Sequence, residues 1–258
     1  MNRTKSSPIK LVFDILKMTP DQLRRTLFGE TRFQLIEQTE VTKALLNGYS
    51  LLRWADGETA LARGKTIGYQ EKNLELSRLL MKCITEESEK TLIGIPPANF
   101  ESVFNGKWNI RRLGIMFSTR VLHAKTLKIN SKKFCSTFYW YDLYSELPEL
   151  ISKIIGKRPC LLVTGNQEFL SACPSGTELI QTPSIDAFSM HKKIESRIEA
   201  WIMKKSQYDQ NTKPLILLAC GPYSKVLVHK YSNRAQAIDV GHGFNFYLSG
   251  KPKFSWET

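Results

Sequence analysis

Short, wholly apolar runs alternate along this chain with longer segments whose apolar residues recur at helical spacing. YSLLRWA (49–55), TLIGIPP (91–97), PCLLVTG (159–165), PLILLACGP (214–222) and AQAIDVGHG (235–243) read as buried strands, with LIQTPSI (179–185) a shorter one. Between them NLELSRLLMKCITEE, RLGIMFSTRVLHAKTL, LPELISKIIGKR, SMHKKIESRIEAWIMKK and YSKVLVHKYS carry helical periodicity, and KFCSTFYWYDLY reads as a strand end or an aromatic-lined loop. Continuous apolar strands separated by helices predict an α/β fold, a mostly parallel sheet covered on both faces. In such sheets ligands bind at the carboxyl ends of the strands.

Residues 9–47 are expected to be helical in two pieces, split at Thr19-Pro20, where Thr19 can cap the helix that Pro20 begins. The expected organisation is an N-terminal helical extension over 1–47, packed on a single α/β domain over 48–258. The segment KLVFDILKMTPDQLRRTLF has an apolar stripe and basic residues. It is expected to pack on the domain, with contact of its basic face to an anionic membrane as the alternative.

Composition narrows the function. Lys and Arg number 37 against 24 acids in 258 residues, a formal charge of +13, which favours anionic partners without choosing among nucleic acid, acidic membrane and phosphorylated small molecules. The basic pairs are scattered, as on an ordinary solvated surface. Five cysteines with no C-x-x-C pair suggest neither a disulfide framework nor a zinc site, and fit a reducing compartment. The first apolar run is broken by Asp14 and Lys17, unlike a signal peptide core, so a cytoplasmic protein is expected.

Three places carry candidate chemistry. Asp56 and Glu58 flank Gly57 directly after a buried strand; in extended backbone such i, i+2 side chains share a side and can converge on one hard divalent ion. Taken alone, Asp-x-Glu is common in surface turns. In LILLACGPYSKVL a glycine joins strand to helix, so Gly221, Pro222, Ser224 and Lys225 can form an anion site at the helix N-terminus, although a tight connection would look the same. Gly165 and Asn166 form a weaker copy. In AIDVGHG, Asp239 and His242 close a strand, and His242 is a candidate metal ligand, phosphate donor or base, or a structural hydrogen-bonding residue. Asp186, in PSIDAFSMHKK, is either an N-cap or a site residue. His123, His191 and His229 lack an i, i+4 partner and are not read as ligands.

In this order the blocks resemble the GT-D-type glycosyltransferases, bacterial enzymes with a Rossmann-like core and an Asp-x-Glu metal motif. RWADGE is similar to their Arg-aromatic-Gly-Asp-Gly-Glu signature, TPSIDAFSMHKKI to a Pro-x-x-Asn-Ala-Phe block, and LACGPYSKVLVHKYSNRAQAIDVGHG to Gly-Pro-Thr-Ala-Lys-Val-Leu and Asp-Ile-Gly-His blocks. The resemblance extends from about Arg53 to Gly243. It implies that Asp56 and Glu58, with His242 close by, hold Mn²⁺ or Mg²⁺ against the diphosphate of a nucleotide sugar, most often a UDP-sugar. It also implies that Arg53, Gly221 and Lys225 lie near the donor, with His242 close by, and that Asp186 or Asp239 is a candidate base; Gly57, which lets the backbone bend between the carboxylates, and Gly165 are read as further donor-binding candidates. The departures are Ala55 for the usual glycine, Asp186 for the common asparagine, and YWYDLY in place of the Arg-Pro-Tyr that follows Ser-Thr-Phe.

The expected function is therefore metal-dependent transfer of a sugar from a nucleotide sugar to a glycan, lipid-linked or glycoprotein acceptor. A metal-dependent nuclease or phosphohydrolase and a non-catalytic nucleotide-sugar-binding module are the alternatives. Against the nuclease, no lysine stands two residues after Glu58 and no aromatic-basic nucleic-acid motif is present, so no nucleic-acid partner is expected.

Overall fold

The computed structural model describes residues 8–86, 90–100, 110–127, 133–206 and 213–250. The helices are α1 (Pro8–Leu16), α2 (Pro20–Phe28), α3 (Gln38–Leu46), α4 (Asp56–Ala62), α5 (Leu74–Thr85), α6 (Ile110–Thr126), α7 (Tyr139–Asp142), α8 (Leu147–Ile155), α9 (His191–Ser206), α10 (Tyr223–Tyr231) and α11 (Gly243–Ser249). The strands are β1 (Ser50–Arg53), β2 (Thr91–Ile95), β3 (Lys133–Ser136), β4 (Cys160–Thr164), β5 (Glu178–Gln181), β6 (Leu215–Ala219) and β7 (Gln236–Asp239).

These seven strands form one sheet in the order β3-β2-β1-β7-β6-β4-β5, and each neighbouring pair is parallel. β1, β2 and β4 are buried along their whole length, which is why their sequences show no polar alternation. One core, with Leu52, Leu80, Ile198, Leu218 and Leu227, packs α5, α9 and α10 on one face. The other, with Leu51, Ile151, Leu217, Ile238 and Phe244, packs α3, α8 and α11 on the opposite face. After β1 the chain passes through α4 to the first face, and after the adjacent β7 it enters α11 on the second. The carboxyl ends of β1 and β7 thus form a topological switch point, the place where parallel α/β sheets open a crevice for ligands.

The aromatic segment resolves into β3 and the short α7. Its buried Trp140 donates to the Asp239 carbonyl at 3.0 Å and braces the end of β7. The N-terminal region has three helices, not two. Thr19 caps α2 as expected, in a reciprocal box with Gln22. α2 then stops at Gly29, whose φ of 91° only glycine adopts without strain. Residues 29–37 cross to the sheet edge, where Leu35 bridges Phe134, before α3 begins. α3 places Val41 and Leu45 in the core beside β1, so the extension ends in an integral part of the domain. None of the five cysteines is in a disulfide, and burial pushes the Cys135, Cys160, Cys173 and Cys220 thiols up to about 12.

Candidate active site

Arg53 is the last residue of β1 and Asp239 the last of β7, so adjacent strand ends deliver a guanidinium and a carboxylate to the crevice. The buried guanidinium lies 5.1 Å from the Tyr141 ring centroid, donates to the Thr137 carbonyl at 3.2 Å, and has Nε 3.6 Å from Asp239 Oδ2. A methyl group at Gly241 would collide with it, and that residue's φ of 53° also favours glycine.

Lys225, in the first turn of α10, brings a second cation. Its Nζ stands 3.0 Å from Asp239 Oδ2 and 3.0 Å from Glu58 Oε1. Arg53, Lys225, Glu58 and Asp239 are all buried, two cations matched by two carboxylates. Burial opposes the charge of Lys225, but Asp239 and Glu58 outweigh it and hold the ammonium above its usual range. Likewise, burial disfavours the Arg53 charge and nearby Tyr141 and Asp239 more than restore it. Beyond these ion pairs, the Asp239 carboxylate oxygens have no hydrogen-bond partner among the described residues.

The carboxylate pair differs from its expected geometry. Asp56 and Glu58 lie in the first turn of α4 instead of in extended backbone. The reason is local: Ala55 is the last extended residue, and Glu58 Oε2 turns back to accept its N–H at 2.9 Å. That is half of a capping box, because Ala55 has no side-chain oxygen to complete it. Residues two apart on a helix point about 200° apart, so Glu58 turns into the buried quartet while Asp56 faces solvent.

His242 stands at the N-cap position of α11 without a side-chain cap bond, its Nδ1 3.0 Å from the Asn245 side-chain amide. The residue keeps an exposed surface, but partial desolvation of the ring, aided by Arg53 and Lys225, lowers its pKa and favours the neutral imidazole. Gly221 has φ 66° and Pro222 leads into α10 as expected, but the buried Ser224 hydroxyl accepts from the Cys220 N–H at 3.1 Å and is turned away from the crevice. At Gly165 a Cβ would lie 2.8 Å from Ser184 Cα, so this glycine lets β4 and the 183–184 loop touch. Asp186 precedes a 3-10 turn but makes no side-chain cap; its carboxylate accepts from the Gln70 amide instead.

Sequence reasoning missed Tyr69. Its ring sits against Gly221 and its hydroxyl against Gly57, and its ring centroid is 6.4 Å from that of His242. In sequence the only signal was its place in the turn GKTIGYQ, directly after the Asp-x-Glu helix.

Ionic strand ends at the switch point of a parallel sheet, with a helix N-terminus beside them, define a Rossmann-like α/β protein with a buried charged cluster at the place where such sheets bind ligands. The sequence matches the family described as "Glycosyltransferase GT-D fold" over residues 51–250. This chain belongs to that family. It is 25% identical, over 91% of its length, to the "Glycosyltransferase GlyD" of Streptococcus pneumoniae serotype 4, and spans 30% of that relative's length. A solved structure described as "The highly conserved domain of unknown function 1792 has a distinct glycosyltransferase fold" superimposes with a TM-score of 0.60 at 22% identity, covering 91% of this chain and 87% of that one. "A New Glycosyltransferase (DUF1792) from Streptococcus sanguinis" matches with a TM-score of 0.60 at 21% identity, over 86% of this chain and 88% of that one.

Proposed function

We propose that this chain moves a sugar from a nucleotide-sugar donor, a UDP-sugar by resemblance to its family, onto a hydroxyl of a glycan, lipid-linked or glycoprotein acceptor. The carrying observation is the buried Arg53-Asp239-Lys225-Glu58 quartet at the switch point, beside the N-terminus of α10. In the reaction the bond between the anomeric carbon and the diphosphate oxygen breaks, the acceptor oxygen bonds to that carbon, and the acceptor proton passes to the departing diphosphate or to solvent. Negative charge grows on the departing nucleoside diphosphate. Arg53 and Lys225 are already fixed by Asp239 and Glu58, so they meet that charge without reorganising. Asp239 has no exposed surface, which suits it to hold the cations and not to reach an acceptor hydroxyl.

A divalent ion, Mn²⁺ or Mg²⁺, belongs to this reading. The exposed Asp56 carboxylate and the imidazole of His242, held toward its neutral form, suit such an ion, whose remaining positions substrate oxygens and water can fill. Glu58 fits less well, because one oxygen faces Lys225 and the other takes the Ala55 N–H. Among the described residues no group of three or more His, Cys, Asp or Glu is arranged to hold a metal. When bound, the ion would offset charge on the leaving diphosphate. Incubating the protein with a panel of UDP-, GDP- and dTDP-sugars plus Mn²⁺ should release nucleoside diphosphate from one of them; no release from any donor, with or without acceptor mixtures, contradicts transfer.

The acceptor side is proposed to lie at an anionic membrane. No helix among the described residues is long and apolar enough to cross one. α1 turns Asp14 inward to Lys125 and Arg63, which leaves Val12, Phe13 and Leu16 at 53%, 57% and 74% exposure beside exposed Lys17. α2 likewise exposes Leu23, Arg24 and Phe28, so the expected packing of this stripe on the domain is only partial. Apolar side chains alternating with cations on outward helix faces match an acidic lipid surface. The protein should sediment with phosphatidylglycerol vesicles at low salt and not with phosphatidylcholine vesicles, and Phe13→Glu with Leu16→Glu should release it. Equal recovery in the supernatant with both lipids contradicts this contact.

A further inference from the structure

We infer that Tyr69 is a ligand-contacting residue of the donor site, its hydroxyl positioned to donate to a phosphate oxygen of the nucleoside diphosphate, with Gln70 and Asp186 acting as its positioning residues. This rests on the donor-site reading above and adds to it a residue that the Asp-x-Glu, Gly-Pro and Asp-x-Gly-His blocks do not contain.

Three observations carry it. First, the Tyr69 side chain lies over the crevice. Its hydroxyl is 3.4 Å from where a Cβ on Gly57 would stand, and its ring carbons are 3.5 Å from where one on Gly221 would stand. The two glycines that head the α4 and α10 turns are therefore the floor on which this ring rests. Second, the phenol can be reached by a ligand. Tyr69 is 41% exposed, and a phenol with its ordinary proton can donate to an anionic oxygen. Third, the backbone beneath the ring is clasped. The Ile67–Gln70 pair closes the turn, the Asp186 N–H donates to the Tyr69 carbonyl at 2.9 Å, the Gln70 amide donates to the Asp186 carboxylate, and the Phe188 N–H donates to Gln70 Oε1 at 3.4 Å. This clasp ties the segment after α4 to the far side of the crevice, beyond β5.

The clasp also accounts for Asp186. It is the one non-glycine with positive φ among the described residues, at 54°, a conformation that aspartate tolerates better than most side chains. Its N–H and carboxylate both serve the Tyr69-Gln70 turn, so its work is holding and not proton abstraction.

The test measures UDP binding by calorimetry with Mn²⁺, and kcat and KM for the donor, in the wild type, Tyr69→Phe, Asp186→Asn and Asp186→Ala. A hydrogen bond to a charged group predicts that Tyr69→Phe weakens UDP by about tenfold to a hundredfold. Asp186→Asn, which keeps an oxygen for Gln70, should bind within about threefold of wild type, whereas Asp186→Ala should raise KM while kcat stays within a similar factor. Unchanged affinity in Tyr69→Phe overturns the contact. Loss of kcat at constant KM in both Asp186 variants makes Asp186 a catalytic group and overturns its positioning role. A wild type that binds no nucleoside diphosphate overturns the donor site itself, and the contact with it.

Discussion

Lys225→Met is expected to lower stability by about 3 to 5 kcal/mol and to abolish transfer. Among the described residues the ammonium is the group paired at 3.0 Å with both Glu58 and Asp239, so its removal leaves two buried carboxylates with Arg53, 3.6 Å from Asp239, as their remaining counter-charge. The cost comes from that uncompensated charge, more than from any net worth of the ion pairs. In a chain of this size it corresponds to a fall in Tm of roughly 10 °C. Adding Asp239→Asn should recover much of the stability without recovering activity, because the double variant removes the stranded charge but not the missing cation. A melt showing Lys225→Met within about 0.5 kcal/mol of wild type would mean the four side chains are not coupled as their distances indicate.

Asp56→Ala is expected to behave in the opposite way. Asp56 is exposed at the start of α4, so its loss should cost little, within about 1 kcal/mol for a carboxylate in a first helical turn. Turnover should nevertheless fall by about a hundredfold or more, if this carboxylate steadies the ion that faces the leaving diphosphate. Glu58→Ala, by contrast, should lose both stability and turnover, since Glu58 holds Lys225 and the Ala55 N–H as well. The helical geometry of the motif therefore predicts that its two carboxylates, two residues apart, divide into an outer group and an inner one.

That division was not legible from the sequence. The strands were, because residues buried on both faces must be apolar throughout, and β1, β2, β4 and β6 carry such runs. So was the gathering of Arg53, Lys225 and Asp239, since strand ends of a parallel sheet share an edge. Whether Asp56 and Glu58 converge depends on one backbone choice after Ala55, extended or helical, and both choices tolerate the sequence Ala-Asp-Gly-Glu. The Gly29 break and α3 were hidden for a similar reason: helical spacing continues past a short crossing that only tertiary contacts, such as Leu35 with Phe134, reveal. Tyr69 was invisible because its neighbours Gly57, Gly221 and His242 are brought to it by separate strand ends. Ser224 pointed toward the ligand in the helix-terminus reading, yet the Cys220 N–H claims its hydroxyl first.

The central claim is that the β1/β7 crevice binds a nucleoside diphosphate through buried cations and a divalent ion. Its most direct test is calorimetric titration of UDP, GDP and dTDP into the protein with and without Mn²⁺, in wild type and Asp56→Ala. The account predicts saturable binding of one nucleotide that Mn²⁺ strengthens and Asp56→Ala returns to the metal-free level; absence of heat with all three under both conditions, from a protein that melts cooperatively, would contradict it.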